Sequence, residues 1–89
     1  LEEKLNNLNE YKNNKDLDSY SILAHSLKTE ARYLGFNDFA DMAYDHELAA
    51  KENNQEFVDK NYPELKMEAI KNYDIIKTYL GDKKRWKNY

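Results

Sequence analysis

Apolar residues recur along this chain at steps of three and four and nowhere alternate convincingly with a period of two, so the pattern predicts helices and no strands. Leu1, Leu5 and Leu8 mark a first amphipathic segment to about Tyr11, ended by the polar stretch Lys12 to Lys15. A second helix opens near Asp16 or Asp18, whose carboxylates can accept from the free N–H groups of a first turn. Leu17, Tyr20, Ala24, Leu27, Ala31 and Leu34 then form one stripe, and Gly35 is expected to close the helix in a left-handed conformation. Asn37 with Asp38 predicts the cap of a third helix with the inner stripe Phe39, Ala43, His46 and Ala50, running to about Glu52 before a turn at Asn53 and Asn54. The fourth and longest segment carries Phe57, Val58, Tyr62, Leu65, Ala69, Tyr73, Ile76 and Leu80 and is expected to end at Gly81. Pro63 predicts a kink or a restart within it, because proline removes a backbone bond and presses on the carbonyl four residues back.

Short polar loops force successive helices antiparallel, so the expected fold is all-α, an antiparallel up-down-up-down four-helix bundle. Composition agrees: 89 residues with two Gly and one Pro make one small domain, with too few turn formers for a many-stranded sandwich or barrel. A large multi-domain enzyme is excluded. The absence of Cys removes disulfide scaffolds, thiolate metal sites and Cys nucleophiles. With 35% charged residues and a mean hydropathy of -1.08, no apolar run approaches the roughly 20 residues that span a bilayer. The start at Leu1, without a basic and apolar leader, reads as a fragment of a longer protein.

The net charge of -3 conceals an asymmetry: Lys83, Lys84, Arg85 and Lys87 lie near the end, and without them ten basic face seventeen acidic side chains. A body this acidic repels phosphate backbones, so neither nucleic acid nor a membrane is expected as a partner. Residues 1–81 are assigned to the bundle and 82–89 to a solvated basic tail or linker. Gly35 and Gly81 are the only glycines, which excludes Gly-rich phosphate loops. The eight Tyr fall largely on core stripes and are read as packing, without the basic groove that base stacking needs.

With the inner stripe of the second helix assigned, its outer face is Ser21, Ile22, His25, Lys28, Thr29 and Arg32. An outward His one turn below Lys28 is a candidate nucleophile, since neutral imidazole is reactive near pH 7 and a neighbouring cation can hold a phosphoryl oxygen. On spacing alone, an ordinary surface His with helix-favouring neighbours is the better-supported alternative. Ile22, bulky and apolar beside it, is what a binding surface would use, although single exposed Ile residues are common.

The run Ala24-His25-Ser26-Leu27-Lys28, followed by Ala31, Leu34 and a Gly ten places after the His, resembles the signature of the histidine phosphotransfer (HPt) domain. Phe39, Ala43 and Glu47 continue the likeness, which spans roughly residues 1–81 with the sharp motif confined to 24–47. The resemblance implies a phosphorelay intermediate without kinase activity of its own: His25 takes a phosphoryl group from a receiver-domain aspartate and passes it to another receiver. It implies that Lys28 steadies the phosphoryl group and that Glu47 hydrogen-bonds the imidazole, leaving the other nitrogen as nucleophile; a plain solvent-facing Glu is the alternative. Ile22, Thr29, Arg32 and Lys51 would meet the partner. No cofactor is expected on this chain, Mg²⁺ belonging to the receiver. The same resemblance implies a cytoplasmic, monomeric domain within a larger signalling protein such as a hybrid sensor kinase.

Two positions depart from the family pattern. Thr29 stands where the family has Gly, placing a β-branched side chain one turn from the nucleophile. His46 stands where a core aliphatic is usual, and is expected to be buried, neutral and held by one hydrogen bond. A degenerate or unrelated helical module that binds a partner without phosphotransfer is the first competing reading, favoured by Thr29. A metal site from His25, His46, Glu47, Asp41 and Asp45 is the second, and lacks the paired ligand spacings such sites use.

Overall fold

A computed structural model describes the backbone of residues 2–87 and the side chains of residues 3–77. It contains four helices, α1 (Glu2–Asn13), α2 (Leu17–Tyr33), α3 (Asn37–Lys51) and α4 (Gln55–Lys87), and no strand among the described residues. No helix in this range is long and apolar enough to cross a membrane.

The three connections are built alike. After α1, Lys15 adopts φ 59°, its N–H bonds the Lys12 carbonyl and the Asp16 N–H bonds that of Tyr11. After α2, Gly35 at φ 83° and Phe36 bond Arg32 and Ala31 in the same pattern; after α3, Asn53 at φ 57° and Asn54 bond Ala50 and Ala49. Each is a Schellman motif, which satisfies the last carbonyls through one left-handed residue. The residue after it starts the next helix. Asp16 accepts from the Ser19 N–H, and Asn54 from the Phe57 N–H. Gly35 and Asn53 suit that conformation, whereas Lys15 carries its Cβ there at a cost.

Several local expectations need correction. Phe36, not Asn37 or Asp38, is the N-cap of α3, and it offers no side-chain bond: its place is dictated by the Schellman turn before it. Pro63 sits inside α4 without ending it, and α4 runs on through Gly81 to Lys87, so neither residue divides the helix. Proline costs one bond in a long ladder, and a lone Gly costs about 1 kcal/mol, which neighbouring turns can absorb. Leu34 is exposed because it is the C-cap of α2, past the last turn of the inner stripe. Leu1 and Leu80 lie outside the described side chains.

The core takes Leu5 and Leu8 from α1, Tyr20 and Leu27 from α2, Phe39 from α3, and Val58, Leu65 and Ala69 from α4. Its α2 and α3 faces are rich in alanine: Ala24 and Ala31 on one, Ala40, Ala43, Ala49 and Ala50 on the other, all buried. Small side chains let two backbones approach closely, and this α2–α3 pair carries the residues discussed below. Polar links tie the remaining helices: Lys4 of α1 and the Tyr73 hydroxyl of α4 both donate to Glu30 of α2, and the Tyr62 hydroxyl donates to the Leu5 carbonyl.

His46 is 1% exposed and lies edge-on to Phe57, with its Nδ1 2.8 Å from the Tyr20 hydroxyl. Burial pushes its pKa down to about 4, against smaller opposing effects of the Asn61 backbone and Asp45. The unfolded chain takes up this proton near 6.5 and the folded chain only near 4. The stability contributed by the neutral ring is therefore complete above pH 6.5 and is lost between pH 6.5 and 4, a fall on the order of 3 kcal/mol. Urea unfolding across this range is expected to show that fall in the natural sequence and to lack it in His46→Asn; an unchanged slope in the variant would contradict the assignment. Lys15→Gly is expected to stabilise the fold by about 1 kcal/mol, read as a higher urea midpoint.

Candidate functional site

α2 presents His25 and Lys28 at i and i+3, one above the other, while α3 presents Glu47 and Lys51 at i and i+4. The close α2–α3 packing brings these four together. Glu47, only 3% exposed, receives a donor at every approach: His25 Nδ1 lies 3.2 and 3.1 Å from its two carboxylate oxygens, Lys28 Nζ 3.1 Å from Oε1 and Lys51 Nζ 2.8 Å from Oε2. Glu47 is thus not the solvent-facing side chain that its polar character allowed.

Burial by itself raises the Glu47 pKa, but hydrogen bonds from Lys51, Lys28 and His25, with the Lys28 charge, more than offset this and leave it at about 2. The carboxylate is accordingly ionised at any ordinary pH. An ionised carboxylate only accepts, so the nitrogen facing it, His25 Nδ1, carries the proton. The His25 side chain is 58% exposed, and in the neutral ring its other nitrogen, Nε2, holds a free lone pair.

Lys28 is more enclosed than its outward position on α2 suggests. Its side chain is 18% exposed, and the ammonium lies 4.8 Å from the centre of the Tyr44 ring while bonding Glu47. Tyr44 was not among the candidates named from sequence; it lies three residues before Glu47 on α3, a spacing that would have pointed to it once Glu47 was known to face α2. Arg32 pairs with Asp41 of α3 at 3.0 Å, both partners substantially exposed. Lys51 turns back to Glu47, so Lys28, Arg32 and Lys51 all have carboxylate neighbours on this chain.

Of the remaining predicted positions, Ile22 is 71% exposed and Thr29 is exposed, its hydroxyl donating to the His25 carbonyl at 3.0 Å. Ser21 is a correction: it is buried, because it lies four residues after Leu17 and three before Ala24 and so flanks the inner stripe, with its hydroxyl donating to the Asp18 carbonyl at 2.8 Å. Around His25 the surface is shallow. Ser26, Thr29 and Tyr33 line one open depression beside it, and Ile22, Leu23 and Ser26 line the next, toward α1. Ile22, Ser26, Thr29 and Tyr33 form a solvent stripe at helical spacing with an apolar residue at each end. His46 is separated from this face by its place in the core, and among the described residues no three His, Asp or Glu side chains form a group able to hold a metal ion.

The arrangement is a half-exposed imidazole with a fixed tautomer and a bare nitrogen, backed by a buried carboxylate and two ammonium groups. Such a group can act as a nucleophile toward an electrophile presented by another molecule. Glu47→Gln is expected to cost about 2 kcal/mol at pH 7, since neutral amide bonds replace three charge-assisted ones. It should also remove a loss of stability that the natural sequence shows as pH falls from 4.5 toward 2, where the depressed carboxylate pKa makes the folded state resist protonation. His25→Gln is expected to cost under about 1 kcal/mol, and urea unfolding at pH 7 and in acid separates the two variants. Compared with known proteins, the chain matches no family model, no curated protein and no solved structure.

Proposed function

We propose that this chain is a phosphorelay intermediate of the histidine phosphotransfer type, in which His25 accepts a phosphoryl group from a receiver-domain aspartate and passes it to another receiver. The observation that carries this reading is the His25–Glu47 pair: Nδ1 is committed to a buried carboxylate while the ring stays 58% exposed. As the Nε2 lone pair attacks phosphorus, the bond from phosphorus to the aspartyl oxygen breaks and leaves a carboxylate on the donor. The ring gains positive charge, which Glu47 beside Nδ1–H stabilises, and Lys28 is the nearest cation on α2 for the transferred oxygens. Mg²⁺ would come with the receiver, and this chain needs no kinase activity of its own.

The reading includes an antiparallel up-down-up-down order of the helices, supported by the three short, similar connections and by consecutive helices in contact. It includes a monomeric, cytoplasmic setting within a larger signalling protein, with Ile22, Thr29 and Arg32 at the edge of the docking face and no nucleic-acid or membrane partner. The basic segment after residue 81 is taken as the connection to the rest of that protein. A second reading, partner binding without phosphotransfer, draws on two observations: Thr29 carries a side chain next to the nucleophile, and Lys28 is enclosed by Glu47 and Tyr44.

Incubation with a phosphorylated receiver is expected to place an acid-labile, alkali-stable label on the chain. His25→Gln should abolish it with little change in melting, Lys28→Ala should slow uptake by about tenfold, and Thr29→Gly should quicken it. Receiver binding without label on His25 would overturn the phosphorelay reading in favour of the second.

A further inference from the structure

Lys51 was expected to meet a partner, yet its ammonium lies 2.8 Å from Glu47 Oε2, on the carboxylate that faces His25. We infer that Lys51 is a positioning residue: it holds the Glu47 carboxylate square to His25 and thereby fixes the tautomer that leaves Nε2 bare. This rests on the reading of His25 as the nucleophile.

The geometry divides the work between two helices. Lys28, on the same helix as His25, holds Oε1; Lys51, on the same helix as Glu47, holds Oε2. With one cation on each oxygen the carboxylate cannot turn edge-on, and Nδ1 meets both oxygens at nearly equal distance, 3.2 and 3.1 Å. Lys28 is itself fixed over the Tyr44 ring, so the side that Lys51 holds is the one free to move when its cation is removed. An anion also needs compensation to remain buried, and one ammonium alone would leave Oε2 with only the imidazole as donor. Without Lys51 the carboxylate turns toward Lys28 and solvent, Nδ1 loses part of its acceptor, and the proton redistributes to Nε2. That form has no lone pair on the exposed nitrogen and cannot attack phosphorus.

The claim predicts coupling rather than simple loss. Lys51 is 59% exposed near the end of α3, so Lys51→Met should leave the fold intact, checked by its circular dichroism. Ring ¹⁵N shifts of neutral His25 report the two tautomers directly and need no phosphoryl donor. In the natural sequence the Nδ1–H form should dominate. Lys51→Met should lower its ratio to the Nε2–H form by about threefold, the size expected from losing a partly exposed ion pair, and Lys51→Arg should restore it. In a Glu47→Ala background, Lys51→Met should change the ratio no further, because the carboxylate it acts through is gone. An unchanged ratio in Lys51→Met, or the same change with and without Glu47, would overturn the inference. Phosphoryl uptake from a phosphorylated receiver, measured on the same proteins, should fall in step with the ratio. A natural chain that takes up no phosphoryl group yet shows the tautomer shift would sink the phosphorelay reading and leave the role of Lys51 standing.

Discussion

A carboxylate cannot be taken out of water between two helices unless donors come with it, and in this chain Glu47 gathers three. That requirement organises the exposed chemistry of the α2–α3 face. It draws Lys28 and Lys51 to its two oxygens, obliges His25 Nδ1 to carry its proton, and leaves the second nitrogen of the neutral ring with its lone pair. The alanines at 24, 31, 40 and 43 are the precondition, because a wider helix spacing would let water into the gap and relax every one of these constraints.

The two histidines show how environment divides one residue type into two roles. His46 is enclosed by Tyr20 and Phe57, and its neutral form is enforced by the cost of charging a ring inside the core. His25 keeps a wet side, and what its surroundings fix is which ring nitrogen faces the carboxylate. The contact between the Tyr20 hydroxyl and His46 Nδ1 at 2.8 Å ties α2 to α3 by a polar bond, an orientation device that a purely apolar contact would not supply.

The cations near His25 are also set by this arrangement. Lys28 and Lys51 share the Glu47 carboxylate, while Arg32 and Asp41 pair with each other. Ile22 stands exposed one turn before His25 on the same helix, on a chain whose net charge is -3.

Helical periodicity was enough to assign all four helices and most of their inward residues, because burying a stripe at steps of three and four has one geometric solution. It also put His25 and Lys28 on one face, and the resemblance drew attention to Glu47. What the one-dimensional pattern could not decide were contacts between helices and competition among local bonds. Ser21, assigned to the outer face, flanks the inner stripe and is buried, and Phe36 caps α3 because the preceding turn ends there. Pro63 reads as a kink or a restart and Gly81 as an end, yet one helix runs through both positions. Above all, whether Glu47 was wet or buried depended on how closely α3 lies against α2. Lys51, readable as a partner contact, and Tyr44, unremarkable in sequence, acquire their roles only once that distance is set.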